Sequence, residues 1–117
     1  MFDEDLAERV RMELAPTTLF TERKMFGGLA FMIGGNMACG IVGDELMVRT
    51  GPERYPEALT RPHARPVDFT GRPMTGMLFV GTAGLEGGNL GEWIAIGAGY
   101  ARGLPAKGSG SVRPRKR

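Results

Sequence analysis

Residues 23–51, RKMFGGLAFMIGGNMACGIVGDELMVRTG, restrict the fold more than any other part of the chain. Short apolar runs are broken by Gly34-Gly35 and Gly43-Asp44, two-residue connections of the type that closes β-hairpins. The spacing predicts three antiparallel strands. With both connections as two-residue loops, Met32 faces Met37, Ala30 faces Cys39, Ile41 faces Leu46 and Cys39 faces Val48. Alternation then places Ala30, Met32, Met37, Cys39, Ile41, Leu46 and Val48 on one face, to be covered by helices. Leu29, Phe31, Ile33, Ala38, Gly40, Val42, Met47 and Arg49 share the other. That second face is too apolar for ordinary solvent exposure, yet it carries one cation. It reads as a self-complementary contact with a second copy of the chain through Phe31, Met47 and Arg49, the arginine either stacking on Phe31 or binding an acid of the partner.

The flanks supply the helices. Leu6, Ala7, Val10 and Leu14 recur at helical spacing within residues 3–15, acids crowd the first turn, and Pro16 stops the helix. Leu19 and Phe20 read as anchors under the sheet. Gly27-Gly28 marks either a bulge in the first strand or a loop before it. Gly51-Pro52-Glu53 opens a short helix that ends before Pro62. Ala64 to Phe69 reads as an edge strand, because Pro62 and Pro66 cannot donate to a ladder. Thr70 to Pro73 is a loop, and Met77 to Val80 is the last strand. Asn89-Leu90-Gly91-Glu92 resembles a capping box. The helix it opens places Leu90, Trp93, Ile94, Gly97, Tyr100, Ala101 and Leu104 on one face, until Pro105 ends it. The fold class is α+β: a single antiparallel sheet of about five strands with the N- and C-terminal helices packed on one face.

Charge divides the chain at residue 107. Of its 15 bases, five (Lys107, Arg113, Arg115, Lys116 and Arg117) fall in residues 107–117 without an acid. That leaves 10 bases against 13 acids in residues 1–106, a formal −3, so the overall +2 belongs to the tail. We read 1–106 as one domain and 107–117 as a basic, disordered tail that either solubilises the protein or attracts nucleic acid non-specifically. One cysteine excludes an internal disulfide and fits a reducing compartment. An acidic start and the lack of a long apolar run argue against a signal peptide or membrane span, so the expected location is the cytoplasm.

The blocks Lys24-Met25-Phe26-Gly27-Gly28-Leu29-Ala30-Phe31-Met32, Gly35-Asn36-Met37 and Leu46-Met47-Val48-Arg49-Thr50-Gly51-Pro52 occur in order, followed by Pro66-Val67-Asp68-Phe69-Thr70-Gly71-Arg72-Pro73-Met74-Thr75-Gly76-Met77. Together they resemble the N-terminal domain of the TfoX/Sxy family of bacterial competence regulators, over roughly residues 3–106. The resemblance implies an α-β-α arrangement with an antiparallel sheet, often dimeric. It further implies a part in transcriptional control of competence, through a protein partner of the transcription machinery. It supplies no catalytic residue to carry over. Full-length members have a second, C-terminal helical domain; here the basic segment stands in that place, and the chain reads as a stand-alone form.

The residues themselves offer little chemistry. Ser109 and Ser111 are the only serines and lie in the tail, so a serine triad has no basis. Cys39 sits mid-strand on an apolar face without a cation to activate it. His63, the only histidine, lies in the cationic loop Arg61-Pro62-His63-Ala64-Arg65-Pro66 with no partner in sight. No metal-ligand spacing and no phosphate-binding loop is present, and no cofactor is expected. Lys24, Arg61, Arg65 and Arg72, with Arg113, Arg115, Lys116 and Arg117 of the tail, are the candidate anion or nucleic-acid contacts. The leading expectation is a non-enzymatic regulatory or protein-interaction module. The alternatives are a nucleic-acid accessory protein that uses the tail, and a small ligand-binding protein or enzyme built around Cys39 or His63.

Overall fold

The computed structural model describes residues 2–68 and 74–106. Phe69, the loop at 70–73 with Arg72, and the basic segment with Arg113, Arg115, Lys116 and Arg117 lie outside the described residues.

Helix α1 (Glu4–Leu14) starts where Asp3 accepts hydrogen bonds from the Asp5 and Leu6 backbone N–H groups at 2.9 and 3.1 Å, and Glu4 and Asp5 favour its dipole. Six strands follow, β1 (Thr21–Met25), β2 (Gly28–Ile33), β3 (Asn36–Val42), β4 (Glu45–Arg49), β5 (Ala64–Pro66) and β6 (Met77–Val80). A short helix α2 (Tyr55–Ala58) separates β4 from β5, and helix α3 (Asn89–Gly103) closes the fold. The strands form one antiparallel sheet in the order β1-β2-β3-β4-β6-β5. Helix α3 lies across β2, β3 and β4, and α1 packs against α3.

Both glycine hairpins form as the turn chemistry predicts. Gly34 and Gly35 take φ of 60° and 81°, the double positive pair of a type I′ turn, and Ile33 pairs with Asn36 across it. Beyond Gly43-Asp44, Val42 pairs with Glu45, Ile41 with Leu46 and Cys39 with Val48, as expected.

The sheet is larger than expected by one strand. β1, TERKM, has no apolar alternation, and all five of its residues are exposed. It is joined to β2 by a third tight turn at Phe26 (φ 44°) and Gly27 (φ 77°), with Met25 paired to Gly28. Leu19, expected under the sheet, is 93% exposed, whereas Phe20 packs on Phe31 with ring centroids 6.0 Å apart.

A bulge corrects the facing of β2. Phe31 pairs with Cys39 but Met32 pairs with Met37, which leaves Ala38 as an extra residue in β3. Ala30 therefore lies opposite Gly40 and not Cys39. Leu29, Phe31, Ile33 and Ala38 join Cys39, Ile41, Leu46, Val48, Leu78 and Val80 in the core under the helices. Ala30 and Met37 turn to the other side with Met47, Val67 and Phe79, and Met32 packs there too. The second face is not an open plate, since Ala30, Met47 and Val67 are at most 1% exposed.

Three smaller expectations shift. Gly88 and not Asn89 is the cap of α3, without a side-chain cap bond. Tyr100 is only half-buried, while Ile96 and Ala98 are buried. The strand expected at Ala64 to Phe69 ends at Pro66 and, as expected, lies at an edge.

Candidate interaction surface

The three residues expected to form a dimer patch are separated by the fold. Phe31 is fully buried under the helices, Met47 is buried on the opposite side of the sheet, and Arg49 lies at the end of β4. The Arg49 guanidinium stacks not on Phe31 but on Tyr100 of α3, 5.3 Å from the ring centre.

Three arginines of the folded part, Arg49, Arg61 and Arg65, follow one pattern, each engaged with an aromatic ring of its own. Arg61 lies 5.2 Å over Trp93 and reaches Glu57 at 3.6 Å and Glu92 at 3.4 Å. Arg65 lies 4.8 Å over Phe79 and is paired with Glu45. A guanidinium on a ring face gains cation–π attraction and covers apolar surface with its stem. These arginines thus close the surface of the core around Trp93 and Phe79. Lys24 stands apart from them on exposed β1.

The two candidate catalytic groups lie in different settings, Cys39 in the core and His63 at the surface. Cys39 has no exposed surface, and burial pushes its thiol up to about 12, so the nucleophilic thiolate is suppressed. His63 is exposed and adopts φ 70° at the turn into β5, where its carbonyl accepts the Gly81 N–H at 3.0 Å. It borders a cleft of about 400 Å³ with Arg61, Asn89, Glu92 and Trp93. A second cleft, about 410 Å³, opens between the turn after β4 and α3, lined by Thr50, Pro52, Arg54, Ile96 and Tyr100. Among the described residues no group of three His, Cys, Asp or Glu is placed to hold a metal, and no helix is long and apolar enough to cross a membrane.

The β1 side of the molecule differs from these closed surfaces. As the first strand of the sheet, β1 has β2 on one flank only. Its two-residue turn makes Met25 and Gly28 a hydrogen-bonded pair, so Thr21, Arg23 and Met25 direct their backbone groups to β2. The backbone N–H and C=O groups of Glu22 and Lys24 then point away from the sheet. Glu22 is also the anchor of α1: Arg11 donates from Nε and Nη2 to its two carboxylate oxygens at 2.6 and 2.9 Å. This fork holds the Glu22 carboxyl below its ordinary value. Leu19 precedes the strand with its side chain in water. Sequence reading missed this surface because a charged, short edge strand has no hydrophobic period to detect.

The family model of the TfoX N-terminal domain matches residues 13–95, a span that runs from the end of α1 into α3 and contains all six strands. No curated protein and no solved structure matches the chain at a significant level.

Proposed function

The chain belongs to the TfoX N-terminal domain family, and on that footing we propose that it is a non-enzymatic regulatory module acting through protein contacts. It works as a homodimer in a bacterial cytoplasm, contributes to transcriptional control of competence, and meets a protein of the transcription machinery. The observation that carries this reading is the β1 side, a strand exposed along its whole length and preceded by a leucine at 93% exposure. A row of outward backbone groups beside an exposed apolar side chain suits recognition of another chain by strand addition.

The test is genetic and biophysical together. Leu19→Glu touches nothing buried, so the variant protein should keep its circular dichroism and melting temperature. In the cell it should lower both transformation frequency and the transcript level of DNA-uptake genes. Unchanged regulation by a folded variant would remove this surface from the reading. Unchanged competence on deletion of the whole gene would remove the link to competence.

The charge division of the sequence favours a second reading, an accessory contact with nucleic acid through residues 107–117. It predicts duplex-DNA binding that weakens steeply as salt rises and disappears when those residues are removed. Binding retained without them would transfer the contact to Lys24 and the arginines of the folded part.

A further inference from the structure

We propose that two copies of this chain join through β1, antiparallel about a two-fold axis at Arg23, so that their six-stranded sheets continue as one. The proposal rests on the homodimeric interaction-module reading and adds the surface and register through which the two copies meet.

The backbone restricts the register. Only Glu22 and Lys24 of β1 present outward N–H and C=O groups, so an added antiparallel strand must bond to those two residues. A two-fold at Glu22 or at Lys24 would set like charges opposite each other and give no Glu22–Lys24 pair, whereas the one like-charge contact of a two-fold at Arg23 is offset by two opposite-charge pairs. A two-fold at Arg23 pairs Glu22 of each copy with Lys24 of the other. Each such pair exchanges two backbone hydrogen bonds and brings a carboxylate beside an ammonium, on the helix side of the sheet where the ladder places Leu29 and Phe31.

The flanking residues fit the same register. Thr21 falls opposite Met25, and Leu19, two residues before β1, lies past that pair on the side of the Phe26–Gly27 turn of the second copy. The leucine thus reaches the turn where Phe2, Lys24, Met25, Gly27 and Gly28 border a groove of about 670 Å³. Arg23 meets its own copy at the axis on the opposite side of the sheet, where long exposed side chains can splay apart. Arg11 keeps its hold on Glu22 from within each copy, so the acid is oriented before the strands meet.

The experiment uses the full chain and three substitutions. Lys24→Pro removes a backbone N–H that the intrachain ladder does not use, so the fold should persist while the edge loses its donor. Sedimentation equilibrium should show a dimer for the parent, and an association weaker by roughly ten- to a hundredfold in affinity for Lys24→Pro. Lys24→Glu, which opposes two acids, should weaken it as well. Arg23→Cys should form an intermolecular disulfide under mild oxidation, since residues paired at the axis have Cα atoms about 4.5–5.5 Å apart; Glu22→Cys should not. A parent that is monomeric at every concentration overturns the proposal, as does a dimer that survives both Lys24 substitutions. The two readings separate cleanly. A monomeric parent whose regulation is still lost in folded Lys24→Pro keeps the module and sinks the dimer, whereas a β1 dimer with unaltered regulation in that variant does the reverse.

Discussion

At the scale of single residues, Gly97 sets the distance between helix and sheet. A Cβ there would lie 2.3 Å from the carbonyl oxygen of Ala38, the extra residue of the β3 bulge, so α3 rests directly on strand backbone. Gly99, two positions on, has nothing within 4 Å of where its Cβ would be. The two glycines separate helix propensity from packing. Gly99→Ala should raise stability by about 0.5–1 kcal/mol, the propensity term alone. Gly97→Ala gains the same term but must push α3 off the sheet, and should lower stability by about 1–3 kcal/mol in urea denaturation. Equal shifts of the same sign would disprove the close-contact account.

At the scale of elements, α1 is held to the edge of the sheet by the Arg11–Glu22 fork, with Glu8 assisting Arg11 at 3.2 Å. Both partners keep about a third of their side-chain surface in water, 32% and 30%, so the contribution is that of a surface pair. Arg11→Ala should cost about 0.5–1 kcal/mol near neutral pH. Because the folded-state value of Glu22 is depressed, this stability is fully present above the ordinary value of 4.5 and is lost as pH falls through the lower folded value. Parent and variant should therefore converge in acid; a difference that persists there would assign the effect to packing of the arginine stem. The same element explains a limit of sequence reading. TERKM is a strand because β2 offers it a ladder and Arg11 offers Glu22 a partner, and neither is visible in five polar residues.

At the scale of the whole molecule, the helix side of the sheet carries the main core, and the second face is filled by Met47, Val67 and Phe79 with Phe26 and Met32 at its border. Cys39 lies in the main core and serves as a reporter of its opening. A thiol reagent should leave native protein unlabelled, and the labelling rate should follow the global unfolding equilibrium across a urea series. Labelling much faster than unfolding would reveal a local opening of β3 and return the thiol to consideration as a reactive group.

The order of the elements other than β1, the two glycine hairpins, the β3–β4 register, the start of α1 and the edge position of β5 were all determined by the sequence alone. Each depends on turn chemistry, a cap or a proline acting within a few residues. What tertiary structure decided was which apolar residues face the helices. Both faces of β2 and β3 are apolar, so a one-residue slip exchanges one greasy set for another, and no polar residue marks the error. The Ala38 bulge, which turns Phe31 to the helix side, lies directly under α3 at Gly97. Arg49, Arg61 and Arg65 behave likewise: their cationic character is plain in the sequence, but only the packed molecule brings Tyr100, Trp93 and Phe79 under them, because those rings come from elements distant in the chain.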